Sequence, residues 1–255
     1  MMWTMVIQLA MVFTHAAATT PSIEDVLART ETSVQRFWNQ LSSVNCTETV
    51  RQEKLGEAGK VQYSHDSIFD YLILMDLQGE EISVEESRIL QKEAGKSSNL
   101  PLLLTTGFST LQLVFHPFYQ ASFEFKLLGD ETVDGIRLLK IEFHHIHGMR
   151  STSAVRLRGQ NYPLDLEGTA WIDPDTGIVH KITATLEAPM EDLNLRSLRT
   201  DVTYAPQKFT TDNTAQWLPI EASIDVETTR QHWRNTHKFT NYRRFSVQTD
   251  TKVSK

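Results

Sequence analysis

The sequence predicts an α+β fold in which one curved antiparallel sheet is covered on its apolar face by an N-terminal helix and a short aromatic helical segment. Two observations support this prediction. One long helical repeat stands near the start of the chain, and after it the hydrophobic spacing changes to two residues and remains so almost to the end. Short turns separate the strands and no crossover helices intervene, which is typical of antiparallel order.

The composition of the chain is that of an ordinary folded protein. Of its 255 residues, 40% are hydrophobic and 22% are charged, which excludes a disordered chain and a coiled-coil rod. The net charge of -7 argues against a nucleic-acid partner. A single cysteine, Cys46, excludes an intramolecular disulfide and the common cysteine-rich zinc modules.

The first residues have the form of a targeting segment. Met1 to Phe13 are almost entirely apolar, and small residues follow at Ala16 and Ala18. This pattern predicts a signal peptide over residues 1–18, although a buried N-terminal helix would give the same run. A bilayer span requires about 20 apolar residues, and no later segment meets that length. We therefore expect residues 19–255 to form one soluble domain. An exported protein with one cysteine fits a bacterial periplasm better than it fits the class of secreted domains held by disulfides, so we expect a periplasmic location.

The first element of this domain is an amphipathic helix of about twenty residues. Ser22 is in the place of an N-cap, with Asp25 three residues later as a capping acid. Apolar side chains then repeat at helical spacing and end in Phe37 and Trp38. The stripe predicts the face that the helix turns toward the sheet.

The strands follow from apolar residues that alternate with polar ones. The segment Ile68–Leu77 has apolar residues at most positions and is interpreted as a strand buried more fully than the rest. We expect one face of the sheet to be apolar throughout and the other polar. Strands are predicted at Val44–Val50, from Val61, at Ile68–Leu77, at Ile82–Leu90, at Phe123–Phe125, at Ile136–Ile146, at Thr169–Ile172, at Ile178–Ala188, at Leu218–Val226 and at Phe239–Val247.

The strongest turn signal is the run from Asp173 to Gly177, with the sequence DPDTG. Proline starts the bend and Gly177 takes the positive φ that closes it. On the returning strand, alternation from Ile178 places Ile182 on the apolar face and Val179 on the polar face.

A second helical segment is predicted over Gly107–Tyr119, where aromatic side chains recur at helical spacing. Pro117 is expected to disturb this helix near His116. Large aromatic side chains that face a concave sheet form either a solid core or a cavity for an apolar ligand, and the sequence leaves both open. The candidate cavity residues are Trp38, Phe108, Phe115, Phe118, Tyr119, Phe123 and Phe125.

A histidine cluster is the remaining candidate for chemistry. On a strand, His145 and His147 share a face, so they could chelate one metal ion if His116 or His180 supplied a third ligand. The alternative is titratable histidines at the rim of the sheet. No nucleophile motif, zinc motif or phosphate loop is present, so we expect neither an enzyme nor a cofactor.

In this organisation the chain resembles the LolA/LolB-type lipoprotein-carrier superfamily, which includes related lipid-binding and envelope-stress-sensor proteins. The resemblance rests on the exported start, the helix that ends in Phe37 and Trp38, the aromatic insertion at Gly107–Tyr119 and the hairpin at Gly168–Gly177. The hairpin is also similar to that of uncharacterised exported proteins of acidobacterial type. The likeness covers roughly Ser22 to Gln248, and the segment Met149–Leu166 is expected to be an added long loop.

The resemblance implies a strongly curved, incomplete barrel around helices, with acyl chains held between them. It implies a non-enzymatic carrier for a lipid, a lipoprotein acyl chain or another apolar ligand, and the absence of a lipobox favours the soluble carriers over the anchored acceptors. The arginine that gates the cavity in that superfamily is not matched to a particular arginine here. The alternative is an envelope sensor or scaffold with a filled cavity, which binds a protein partner through a sheet edge or through Met149–Leu166.

Overall fold

The computed structural model describes residues 21–78, 81–94, 107–157, 160–209 and 215–244. The predicted signal peptide lies outside the described residues, as does most of the polar stretch that precedes the aromatic segment. Within the described part, no helix combines the length and apolar character that a membrane crossing requires.

The helical elements are few and short apart from the first. They are α1 (Ile23–Leu41), a 3₁₀ turn at Glu57–Gly59, a 3₁₀ helix at Leu111–Phe115, α2 (Pro117–Gln120) and a 3₁₀ turn at Glu191–Leu193. The strands are β1 (Val44–Leu55), β2 (Val61–Gln78), β3 (Glu81–Ala94), β4 (Phe123–Val133), β5 (Ile136–His145), β6 (Ala154–Leu157), β7 (Gln160–Pro163), β8 (Leu166–Ile172), β9 (Val179–Leu186), β10 (Leu195–Gln207), β11 (Gln216–Thr228) and β12 (His232–Arg244).

Ten of these strands form one sheet in the order β3-β2-β1-β12-β11-β10-β9-β8-β5-β4. Every neighbouring pair in it is antiparallel. The first and last strands, β1 and β12, are neighbours, whereas β3 and β4 lie at opposite ends and do not pair with each other. The sheet is therefore an incomplete barrel over one long helix, and the predicted α+β fold class is confirmed.

Helix α1 forms as the sequence predicts. The Ser22 hydroxyl accepts a hydrogen bond from the Asp25 amide at 3.2 Å, which satisfies one of the free donors at the helix start. The residues that the helix buries share one face: Val26, Thr30, Val34, Phe37 and Leu41. The Phe37 ring meets the edge of Tyr204 on β10, with 5.9 Å between the ring centroids.

The hairpin between β8 and β9 also forms as predicted, and its turn is docked on α1. The Asp173 carboxylate accepts hydrogen bonds from the Asp175 and Thr176 amides, and Gly177 has a φ of 68°. The Arg29 guanidinium of α1 donates to the carbonyl oxygen of Pro174. The turn therefore fixes the position of the helix over the sheet.

The concave face of the sheet makes room for its cover with small residues. Ala170 on β8 and Ala184 on β9 are almost fully buried. Gly168 on β8 is partly buried. A Cβ atom on Gly168 would lie 2.5 Å from the Phe143 ring and 2.1 Å from the backbone oxygen of Thr183. A larger residue would displace the Phe143 ring from its place in the core.

Two details of the predicted strands are wrong. Val179 points into the core, not to the polar face, because a β-bulge shifts the register between Trp171 and Ile172 and so breaks the alternation. The strand interpreted as the most fully buried, within β2, is covered on one face only. On its outward face, Leu72 is half-buried and Leu74 is exposed.

One loop prediction changes, and one is confirmed. The segment Met149–Leu166, predicted as a long loop, contains a small separate hairpin, β6–β7. Pro117 interrupts the helical segment at His116 as predicted, and it begins α2, where its missing amide proton costs nothing. The single predicted helix at Gly107–Tyr119 is thus a 3₁₀ helix followed by a short α-helix.

Candidate functional site

Residues 107–120, here called the aromatic segment, form a layer between α1 and the concave face. Its 3₁₀ helix contacts both α1 and β9. The side chains of Leu111, Val114 and Phe115 are fully buried. The segment then turns at His116, whose Nδ1 accepts a hydrogen bond from the Phe118 amide and so caps α2.

The structure brings several of the predicted cavity residues together. The rings of Phe115 and Phe125 are stacked at 5.2 Å, and Phe123 lies 6.3 Å from Phe125. Phe118 and Tyr119 contact each other edge to face at 4.9 Å. These contacts fill the space below the segment with aromatic side chains of the chain itself.

The seven candidates nevertheless differ in their exposure. Phe108, Phe115, Tyr119 and Phe123 are buried, whereas Trp38, Phe118 and Phe125 are half-buried and lie around the edge of the core. Trp38 lies beside His116 at 5.6 Å, and Phe108 lies next to the polar cluster described below. An incoming apolar ligand would therefore meet the three half-buried rings first.

A cluster of buried polar and charged side chains, none of them among the predicted site residues, lies on the concave face. The Glu48 carboxylate on β1 accepts two hydrogen bonds from Arg88 on β3, at 2.6 and 3.0 Å, and one from His237 Nδ1 on β12, at 2.7 Å. Arg88 also lies 2.8 Å from the carboxylate of Glu86. We call Glu48, Glu86, Arg88 and His237 the buried ion cluster.

The surroundings of Glu48 and Arg88 favour the charged forms of both groups. Burial alone would raise the pKa of Glu48, but hydrogen bonds from His237 and Arg88 outweigh it and lower the pKa below its usual range. Burial acts to lower the pKa of Arg88, and its carboxylate partners raise it above the usual range. Removal of either charged partner would therefore leave the other as an uncompensated buried charge.

The buried ion cluster is also the point where the aromatic segment is attached to the sheet. The Gly107 amide donates to the Glu86 carboxylate. The Tyr71 hydroxyl lies 2.8 Å from the Ser109 hydroxyl, and the Tyr204 hydroxyl donates to the Ser109 carbonyl at 3.3 Å. The space left between the segment and the cluster is about 10 Å³, roughly the volume that one water molecule requires.

The histidine cluster is organised around one carboxylate. The Asp165 carboxylate lies between the Nδ1 atoms of His145, at 2.8 Å, and His147. The other ring nitrogen of His145 lies 3.0 Å from the Arg150 carbonyl oxygen, so both nitrogens of this buried ring are engaged. Among the described residues, no group of three or more potential metal ligands is assembled.

Asp165 controls the protonation of the exposed member of this cluster. Its hydrogen bond raises the pKa of His147. Partial burial acts to raise the pKa of Asp165, but the hydrogen bonds from His147 and His145 lower it. Arg150 lies over the Phe118 ring at 4.3 Å, so the cluster is also near α2 of the aromatic segment.

The substitution Asp165→Asn is expected to lower the pKa of His147 toward its ordinary value, as measured by NMR titration of the ring protons. The stabilisation by this pair is complete above the unfolded pKa of aspartate and below that of histidine, from about pH 4 to 6.5. It is lost as the pH falls through the lowered pKa of Asp165 or rises through the raised pKa of His147. The Glu187→Gln variant is the control, since Glu187 affects His147 only weakly at a distance. An equal pKa change in both variants would contradict the assignment.

The single cysteine has no part in this chemistry. Cys46 is buried on β1, and burial raises the pKa of its thiol to about 12. It is therefore protonated at physiological pH and behaves as a small apolar residue.

The sequence contained one signal for the buried ion cluster. Glu48 occupies the apolar phase of the alternation in β1, between Cys46 and Val50. A charged residue in that phase must find buried partners. Its partners, Arg88 and His237, are 40 and 189 residues away, so the sequence alone could not supply them.

Comparison with known proteins gives matches among solved structures. A DUF1329 family protein from Desulfovibrio piger is 15% identical, with a TM-score of 0.43 over 90% of this chain and 95% of that chain. A Vibrio parahaemolyticus domain assigned to outer membrane lipoprotein sorting is 10% identical, with a TM-score of 0.46 over 88% and 95%. The LolA superfamily protein NE2245 from Nitrosomonas europaea is 11% identical, with a TM-score of 0.40 over 88% and 97%.

No protein-family model and no curated protein matches the chain. The function is argued below from the residues of this chain.

Proposed function

We propose that the protein is a non-enzymatic periplasmic carrier, exported by the signal peptide of residues 1–18, that binds an acyl chain of a lipid or lipoprotein, or a similar apolar ligand. The observation that supports this proposal is the aromatic segment, which is a separate layer between α1 and the concave face. The described polar links from the segment to the sheet start at Gly107, Ser109 and the backbone of Gln112. Displacement of the layer would open an apolar site between helix and sheet.

The chemistry of that site suits an acyl chain. The concave face beneath the segment is lined by buried apolar side chains such as Ile141, Phe143 and Ile182. Each CH₂ group of a ligand buried there would contribute about 0.8 kcal/mol. The half-buried rings of Trp38, Phe118 and Phe125 would line the entrance. The buried ions are paired with each other, which supports binding and not catalysis.

A second candidate function is that of a sensor or scaffold which binds an envelope protein. The packing of Phe115 against Phe125 favours it, because an interior filled by the chain's own side chains needs no ligand. Crosslinking in the periplasm followed by pull-down would separate the two. Recovery of one stoichiometric protein partner, with no bound lipid, would replace the carrier proposal.

The direct test is native mass spectrometry of protein purified from its own periplasm, together with uptake of a fluorescent fatty acid. A carrier is expected to show a bound mass above that of the polypeptide and saturable uptake. Bare polypeptide mass together with no uptake would overturn the proposal.

The substitution Phe115→Ala tests whether the aromatic segment occupies the ligand site. Phe115 is fully buried, so its truncation is expected to cost about 3–5 kcal/mol of unfolding free energy. Because the truncation also vacates apolar volume, uptake of the fluorescent fatty acid is expected to become tighter than in the parent protein.

The matched control is Trp233→Ala. Trp233 is a buried aromatic residue on β12, but it lies outside the main core cluster that includes the aromatic segment. Its truncation is expected to lower stability without any gain in fatty-acid uptake. A gain of the same size in both variants would reflect general loosening, and it would contradict a ligand site below the segment.

A further inference from the structure

The outer face of the sheet has apolar side chains that the described part of the chain leaves uncovered. Strand β2 has apolar residues on both faces, and on the outer face Asp66 and Asp70 are interspersed among them. Its outward residues include Ile68, Leu72 and Leu74, and Ile89 on β3 lies opposite Asp70 on the same face. Leu74 is 47% exposed and Ile89 is 63% exposed. The sequence is therefore suited to a second contact that the described chain does not supply.

A groove of about 450 Å³ adjoins these apolar side chains. It is lined by Thr49, Arg51, Asp66, Ile68, Lys92, Thr236 and Lys238. Lys92, Ile68, Thr49 and Lys238 are successive partners in one row across four neighbouring strands. The two lysines are thus about three strand spacings, or about 14 Å, apart at the backbone. Both flexible side chains can reach a compact group bound above Ile68 and Thr49.

The charge of the groove is opposite to that of the whole protein. Its lining has three cationic side chains and one carboxylate, whereas the net charge of the chain is -7. Arg51 is shared between Glu53 at 3.0 Å and Asp66 at 3.5 Å, and Lys238 lies 3.8 Å from Glu221. For Lys92, no ion pair within 4 Å is formed in the described part of the chain. Lys92 is therefore the cation of this groove that is left for a compact anion, and Lys238, at 3.8 Å from its carboxylate, is the second one within reach.

We propose that this groove binds the phosphate headgroup of an anionic phospholipid in a membrane surface, with Leu74 and Ile89 in contact with the lipid layer. A bilayer presents a compact phosphate next to apolar chains, which matches a cationic groove beside an exposed apolar stripe. The site lies on the face opposite the aromatic segment, so it does not depend on the proposed carrier function. The two functions can be tested and lost separately.

The experiment is cosedimentation of the full protein with vesicles of phosphatidylcholine alone and of phosphatidylcholine with phosphatidylglycerol. The parent protein is expected to bind only the anionic vesicles, and less at high salt. The double variant Lys92→Glu/Lys238→Glu is expected to bind at least about tenfold more weakly. The variant Ile89→Ser is expected to weaken binding without changing its dependence on salt.

The control double variant is Lys140→Glu/Lys181→Glu. These lysines lie on the same outer face, on β5 and β9, where they flank the Trp171 ring at 5.5 and 5.2 Å. The same charge reversal there is expected to leave most of the vesicle binding intact. Equal losses in the two double variants, equal binding to both kinds of vesicle, or no binding by the parent protein would overturn the proposal. Complete displacement by inorganic phosphate at the headgroup concentration would also overturn it, because the site would then take free phosphate.

Discussion

Replacement of Glu48 by alanine is expected to lower the unfolding free energy by about 3–5 kcal/mol. Glu48 is fully buried and accepts three hydrogen bonds from Arg88 and His237. The side chain of Arg88 is only 10% exposed. Removal of the carboxylate would leave these donors buried with too few acceptors, and the desolvation cost of the Arg88 guanidinium would no longer be offset.

The measurement is urea unfolding of both proteins at several pH values. The pKa of Glu48 is lowered in the folded state, so its contribution is present above the unfolded pKa and is lost as the pH falls through the folded pKa. The difference in stability between the parent protein and the variant should therefore be largest near neutral pH and smaller in acid. A difference that does not change with pH would show that Glu48 acts through packing alone.

The control is Glu53→Ala on the same strand. Glu53 faces outward and pairs with Arg51, whose side chain is 52% exposed. An ion pair of this kind is expected to contribute less than about 1 kcal/mol. Equal losses for Glu48→Ala and Glu53→Ala would contradict the energetic role of the buried ion cluster.

The parts of the fold that could be predicted are those with local causes. Helix α1 follows from its N-cap at Ser22 and its apolar stripe, and both are contained in twenty consecutive residues. The hairpin turn follows from Asp173 and Gly177, which are four residues apart. In each case the deciding interactions join near neighbours in the chain, so a pattern in the sequence is enough.

The parts that could not be predicted depend on distant partners. Alternation assigns Val179 to the wrong face, because the bulge that reverses it is set by pairing with β8. Alternation also gives no partner for Glu48, since Arg88 and His237 reach it only when β3 and β12 assemble around β1 and β2. The aromatic candidates show the same limit. The spacing of Phe115 and Phe125 predicts apolar side chains near the sheet, but only tertiary packing determines that their rings stack and fill the interior.

Replacement of Gly177 by alanine is the second large effect that we expect, at about 3 kcal/mol or more of unfolding free energy. Part of this cost arises because Gly177 has a φ of 68°, a conformation that alanine adopts at a cost of about 1–2 kcal/mol. The rest arises because its new Cβ atom would lie 2.4 Å from the carbonyl carbon of Arg29 and 2.6 Å from the amide nitrogen of Thr30. These are backbone atoms of α1, so the helix itself must move away from the turn.

The variant Gly135→Ala separates these two costs. Gly135 also has a positive φ, 80°, in the turn between β4 and β5, but a Cβ atom there would meet nothing within 4 Å. It should therefore lose only the conformational part, about 1–2 kcal/mol. Thermal unfolding gives the two losses, and limited proteolysis within α1 reports whether the helix has detached. We expect faster cleavage of α1 in Gly177→Ala alone, because the turn and the hydrogen bond from Arg29 to Pro174 hold the helix over the sheet. Equal losses and equal cleavage in both variants would mean that the turn does not position α1. The helix would then be held by its apolar face alone.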